Sequence, residues 1–167
     1  MAMTHRISAI AAIGAQTRAL GKNGDLLFKI EEDLNRFREL TKGHPVIMGR
    51  KTWESLPDAV RPLPGRANII ITRQEGYEAL GAAVCASLGE ALTVAKQSAG
   101  SDEIFIIGGG EIYTEALSQT DRLYLTLVDD DSEGDVLFPE YPGFTREISR
   151  EEHSDHVPPY TYLTLER

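Results

Sequence analysis

Runs of apolar residues long enough for a strand recur along the chain at Ile7–Ile13, Pro45–Met48, Asn68–Thr72, Ala82–Cys85, Glu103–Ile107 and Arg122–Val128. Several are continuous rather than alternating, the pattern of central strands covered on both faces. Near the end, Phe144–Ser149 and Tyr160–Glu166 alternate and predict two more strands. Helical spacing lies between the runs. Glu31–Leu40 puts Leu34, Phe37 and Leu40 on one stripe, with Glu32 and Arg36 spaced i,i+4 on the outside. Ser87 predicts an N-cap for Leu88–Lys96, with Glu90 completing a capping box, and a further helix, Glu111–Leu117, follows three glycines. Strands alternating with helices predict an α/β fold. The expected architecture is one domain over residues 1–167, with a central, mostly parallel sheet, an antiparallel C-terminal edge strand and about four flanking helices. The segment Ser55–Arg66, with three prolines and a glycine, is expected to cross the surface.

Met1–Arg6 followed by the apolar run Ile7–Ala15 has the look of a weak secretory signal. A buried first strand is the preferred reading, because the run is short and Gln16–Arg18 leads straight into Gly21. With 41% hydrophobic and 26% charged residues, the chain has the composition of a soluble globular protein, which excludes collagen, coiled coil and transmembrane classes. Cys85 is the only cysteine, so the core must hold without disulfides; it sits in an apolar strand, reads as core, and is consistent with a cytoplasmic protein. A net charge of −9 argues against nucleic-acid and membrane partners, while leaving room for a local basic pocket. His153 and His156 lie in an acidic stretch without a third ligand, so no metal is expected.

Asp33 is the most informative single residue. It lies four residues before Phe37 and seven before Leu40, on their apolar stripe, whereas Glu31 and Glu32 point elsewhere. A carboxylate on a buried face has a raised pKa unless something neutralises it; the alternative is a helix-start acid that stays wet. The run Ile104–Tyr113 ends a buried strand in Gly108–Gly109–Gly110 and begins a helix. Such a junction either offers backbone amides to an anion or makes a tight turn. It is not a dinucleotide fingerprint, because Tyr113 stands where that pattern needs Gly or Ala. Gly49–Arg50–Lys51–Thr52 and Thr72–Arg73 each follow a strand and place cations and hydroxyls where open α/β sheets bind ligands; taken singly, each is equally surface charge on a loop.

Together these pieces resemble bacterial dihydrofolate reductases of the chromosomal type, from Ile7 to the C-terminus. The most specific stretches are Pro45–Ser55, Arg61–Arg66, Ile107–Tyr113 and Glu133–Gly134–Asp135, in order and at near-family spacing. The resemblance implies reduction of 7,8-dihydrofolate by hydride from NADPH. Asp33 matches the buried acid that binds the pterin amino group and ring nitrogen and assists protonation of N5. Ile10 and Ile107 match positions whose carbonyls face the pterin, Leu34, Phe37 and Leu63 its apolar walls, and Tyr113 lies beside the reacting rings. Thr126 matches the threonine that supports the acid, and Arg66 the cation for the substrate's glutamate carboxylate. Ala12, Leu20 and Gly21 match the nicotinamide site, and Gly49, Lys51, Thr52, Gly108, Gly109, Gly110, Glu111 and Ile112 the rest of the cofactor's run. Arg50, Thr72 and Arg73 match the surroundings of the adenosine 2′-phosphate. The resemblance further implies a cis peptide at Gly108–Gly109, antifolates as possible ligands and a monomer.

Departures accompany the likeness. Leu27–Phe28 replaces the usual Pro-Trp, and Phe28 has no donor to hold the active-site water, so binding is expected to survive while proton transfer suffers modestly. Glu31 stands where proline is frequent, Pro57–Val60 lengthens a loop beside the substrate's tail, and Glu111 replaces an adenosine-contacting arginine of some members. Two alternatives follow: a folate- and NADPH-binding paralogue without turnover, and a riboflavin-pathway pyrimidine reductase of the same architecture.

Overall fold

The computed structural model describes residues 4–167, so residues 1–3 of the signal-like stretch and of the expected domain span lie outside it. The elements in chain order are β1 (Arg6–Gly14), β2 (Ala19–Lys22), β3 (Asp25–Leu26), α1 (Glu31–Thr41), β4 (Val46–Gly49), α2 (Arg50–Ser55), β5 (Asn68–Ile71), β6 (Ala83–Cys85), α3 (Leu88–Lys96), β7 (Glu103–Gly108), α4 (Gly110–Ala116), β8 (Arg122–Val128), β9 (Val136–Leu137), β10 (Arg146–His153) and β11 (Tyr160–Glu166). Eight strands form one sheet in the order β10-β11-β8-β1-β7-β4-β5-β6. The six from β8 to β6 are parallel, and β11 and β10 close one edge antiparallel. The expected α/β architecture is the one observed.

Alternation along the parallel strands divides two cores. Ile47, Ile69, Ile104, Ile106, Leu123 and Leu125 point to the face covered by Leu88, Leu92 and Ala95 of α3 and Ile112 and Ala116 of α4. Ile10, Val46, Met48, Ile70, Phe105 and Tyr124 point to the other, where Phe37 and Leu40 of α1 and Trp53 of α2 pack. Both faces are therefore dry, which is why these strands read as unbroken apolar runs. Helix α3 carries its expected cap: the Ser87 hydroxyl accepts the Glu90 N–H at 3.1 Å. The Glu90 carboxylate takes the Ala86 N–H at 2.9 Å, one residue earlier than a capping box places it.

The structure corrects three expectations. The strand placed at Phe144–Ser149 is β10, Arg146–His153, exposed along nearly its whole length, so no buried face fixed its bounds. Phe144 is buried instead, with the Arg167 guanidinium 4.5 Å from its ring. On α1, Leu34 is 49% exposed, and Arg36 is half-buried with its guanidinium 4.2 Å over the Tyr162 ring. The expected outer pair of Glu32 with Arg36 gives way to Glu32 facing His156 at 4.0 Å. An arginine buries its stem and lies flat on an aromatic ring, which a stripe drawn by polarity cannot register.

A second, small sheet, β3-β2-β9, lies outside the sequence-based expectations. Its hairpin turns at Asn23–Gly24, with φ of 54° and 81°, the pair of positive values a type I′ turn demands and Asn-Gly supplies.

Candidate active site

The parallel strands β8, β1, β7, β4 and β5 bring their C-terminal ends to one edge of the sheet, and the candidate residues gather there. Asp33, in the first turn of α1, reaches across to β8, where the Thr126 hydroxyl donates to its carboxylate. Thr126 is buried, and burial pushes the Asp33 pKa up against the opposing pull of that hydrogen bond and of the Arg36 charge. The stripe reading of Asp33 therefore holds, and so does its raised proton affinity. Parallel pairing sets Ala12 beside Thr126 and Ile10 beside Tyr124, which places these β1 residues on the wall that α1 faces.

Tyr113 ties this wall to the glycine turn. Its hydroxyl donates to the Ile10 carbonyl at 2.6 Å, and its backbone N–H donates to the Gly109 carbonyl at 2.9 Å. Burial and the nearby Asp33 charge drive the phenol pKa far up, so it is a fixed donor. The Gly108–Gly109 bond is cis, as expected. Gly108 has φ of 131°, and a Cβ there would lie 3.4 Å from the Thr52 hydroxyl and 3.5 Å from the Tyr113 hydroxyl. Thr52 of α2 thus closes on the turn, bringing together two segments that sequence places far apart. Gly49, likewise, has Ile112 against it, 3.2 Å from where its Cβ would be. The Ile112 side chain belongs to the core between α4 and the sheet, so only its backbone is left for a ligand role.

Gly49, before α2, and Gly109, before α4, have no side chain, so neither helix carries a side-chain cap over its first-turn amides. Arg50, Lys51, Thr72 and Arg73 continue the same edge. Arg50 is engaged by Glu54 at 2.8 Å, whereas among the described residues no carboxylate pairs with the exposed Arg73. From β8 to β5 the edge spans four strand gaps, about 19 Å, long enough for an extended anionic ligand. Glu111 is exposed at the start of α4.

At the other end, Arg66 donates from Nε to the Pro64 carbonyl and from Nη1 to the Thr41 hydroxyl, both at 2.9 Å. Among the described residues no carboxylate pairs with it, and burial beside Arg38 lowers its pKa, the signature of a cation without an anion. Leu63 is buried near Phe37, and Ile107 is half-buried in the same cluster. Phe28 is buried with Ile30, Val128, Tyr160 and Tyr162.

Leu20 and Gly21 lie on β2, whose placement the sequence reading missed. The Asp135 carboxylate accepts the Asn23 N–H at 3.0 Å, and the Asp135 N–H donates to the Gly21 carbonyl at 3.0 Å. Asn23–Gly24 was the available signal for this hairpin. The Arg36–Tyr162 contact was also missed; the alternation of Tyr160–Glu166 puts Tyr162 on the acid's side but says nothing of what covers it.

The family model described as dihydrofolate reductase matches residues 6–167. The dihydrofolate reductase type 3 of Salmonella typhimurium is 40% identical over 165 residues, covering 96% of this chain and 98% of that protein. The dihydrofolate reductase of Bacillus subtilis (strain 168) is 39% identical over 161 residues, covering 95% and 92%. Among solved structures, dihydrofolate reductase from Enterococcus faecalis complexed with NADP(H) and RAB-propyl superposes with a TM-score of 0.84 at 30% identity, covering 97% of this chain and 96% of that one.

Proposed function

The chain belongs to the dihydrofolate reductase family, and we propose that Asp33, held by Thr126, is the acid with which it reduces 7,8-dihydrofolate to tetrahydrofolate at the expense of NADPH. The buried Asp33–Thr126 pair carries this reading. Ionised, Asp33 accepts from the pterin's amino group and ring N–H; its raised proton affinity lets it take up a proton from solvent, and in that protonated form it is the acid whose proton goes toward N5 as charge develops there, leaving the carboxylate ionised again. Thr126 fixes the carboxylate's rotamer, which keeps the acid within reach of the ring. The Ile10 and Ile107 carbonyls face the pterin, and Leu34, Phe37 and Leu63 form its apolar walls; Leu34, at the exposed rim, is covered when substrate enters. Arg66 takes the glutamate carboxylate at the tail.

When bound, NADPH supplies the hydride. The residues present fit such a ligand: glycines 108 and 109 admit a close backbone approach, and uncapped amides follow at α2 and α4. We place Ala12, Leu20 and Gly21 at the nicotinamide, Thr52, Gly109 and Gly110 along the pyrophosphate, and Arg50, Thr72 and Arg73 around the 2′-phosphate. Tyr113, a locked donor on Ile10, holds the wall between the two ligands. Phe28 keeps an aromatic wall but brings no donor.

The assay is loss of NADPH absorbance on adding dihydrofolate. Turnover is expected; binding of both ligands without turnover overturns the enzyme reading. Arg73→Ala is expected to weaken NADPH by about tenfold or more while changing NADH little, because a charge-assisted contact is worth about 1.5–3 kcal/mol. Dissociation constants for the two cofactors check it, and equal weakening of both removes Arg73 from the 2′-phosphate.

We propose further that the described residues act as one domain, as a cytoplasmic monomer that also binds antifolates. Among them no helix is long and apolar enough to cross a membrane. The charge of −9 supports the absence of nucleic-acid partners.

A further inference from the structure

Arg36 stands one helical turn after Asp33 on α1, and both are half-buried while Glu32 and Asn35 between and before them are exposed. Its guanidinium lies 4.2 Å over the Tyr162 ring and 6.0 Å from the Tyr124 ring. In the sheet, Tyr162 of β11 is the register partner of Thr126 of β8, the residue that donates to Asp33. The cation is therefore seated on aromatic rings that flank the acid's own hydrogen-bond donor, in a setting where stacking fixes a planar guanidinium better than an ammonium.

We propose that Arg36 is a positioning residue for the active-site acid: seated on Tyr162, it presents a fixed positive charge to Asp33 that governs how readily the acid releases its proton to the substrate. The inference rests on the reading of Asp33 as the acid of dihydrofolate reduction.

The groups around the pair can be named element by element. Asp33 accepts from the Thr126 hydroxyl on β8 and lies within electrostatic reach of Arg36 on α1, Tyr162 on β11 and Tyr113 on α4. Arg36 faces Asp33, Tyr124 on β8, Tyr162 on β11 and Glu151 on β10. Behind them His153 stacks on Tyr160 with ring centroids 4.6 Å apart, and its Nε2 lies 3.5 Å from the Glu151 carboxylate. Glu151 is largely exposed, so it competes weakly for the guanidinium. Burial favours the protonated form of Asp33, whereas the ionised form is the one that accepts two donors from the pterin; Thr126 and Arg36 pull toward the ionised form.

The test compares wild type with Arg36→Gln, Arg36→Met and Arg36→Lys. The Met variant keeps an apolar stem on the tyrosines should the Gln variant fail to fold. Asp33 is titrated in the free protein through its carboxyl carbon by NMR, with Asp33→Asn to assign the signal. Its midpoint is expected to rise by about one pH unit in the Gln and Met variants, and to stay near wild type in the Lys variant, which keeps the charge. The falling limb of kcat against pH should move with it, toward higher pH by the same amount, in the Gln and Met variants and not in the Lys variant. An unchanged Asp33 midpoint in folded Gln or Met variants overturns the proposal. A midpoint that moves while the turnover profile stays fixed overturns instead the assignment of Asp33 as the acid.

Discussion

Asp33→Asn should lower dihydrofolate turnover about 10²- to 10⁴-fold at pH 7, and by less at pH 5. Asparagine has the shape of aspartate, and its side-chain oxygen still accepts from the Thr126 hydroxyl, so α1 keeps its seat against β8. What is lost is the charge and the exchangeable proton. The hydride step then depends on substrate that arrives already protonated at N5, whose share grows as pH falls. The sign follows from the acid itself. Its pKa is raised by burial, so the wild type holds a protonated form to higher pH than a free carboxyl does, and the variant has no such form. Initial rates between pH 5 and pH 9, with NADPH saturating, decide the matter. A variant that turns over like wild type across that range removes Asp33 from the reaction.

The expected loss depends on a site assembled from distant parts of the chain, and those parts were unequally visible in sequence. The five central strands are buried on both faces, so their apolar runs are unbroken and their bounds fall within a residue or two of the expectation. Asp33 could be singled out because a helix spacing fixes which face a residue occupies, and that face proved to be the buried one. The helix α2 was not legible: six residues with one buried side chain, Trp53, carry too little periodicity to read. The sheet β3-β2-β9 has strands of only two to four residues, which no alternation can mark, although its Asn23–Gly24 turn was readable. Arg36 was hidden for a different reason. A charged residue between apolar positions reads as solvent-facing, and only the tertiary arrangement supplies the tyrosines that bury its stem. The individual roles of Arg50, Thr72 and Arg73 came from resemblance. The fold adds their common edge, and it distinguishes Arg50, engaged by Glu54, from Arg73, with which no carboxylate pairs among the described residues.

Gly134→Ala should slow the hydride step by about ten- to a hundredfold while leaving dihydrofolate binding nearly intact, although Gly134 is placed in neither ligand site. A Cβ at this position would lie 2.5 Å from the Gly21 carbonyl oxygen, and 3.1 Å from both the Ala19 methyl and Leu27 Cδ1. The nearest of these is backbone, so β2 itself must move. That carbonyl accepts the Asp135 N–H at 3.0 Å, and the Asp135 carboxylate holds the Asn23 N–H, so the methyl opens the clasp on the hairpin. Movement the other way is blocked. Segment 136–137 pairs with β2, and Val136 Cγ1 sits only 2.6 Å from where a Cβ of Gly110 would be, against the start of α4. Leu20 and Gly21, proposed to line the nicotinamide, therefore shift by some tenths of an ångström to an ångström, a displacement that costs up to about a hundredfold in a step requiring close approach of two rings. Asp33, Thr126 and Arg66 lie on α1, on β8 and ahead of β5, so substrate affinity is spared. Stopped-flow single turnovers with NADPH bound first, set beside dihydrofolate dissociation constants, separate the two effects. A wild-type hydride rate in Gly134→Ala would show that the hairpin does not position the nicotinamide. An equal loss in substrate affinity would show that the disturbance spreads through the whole site.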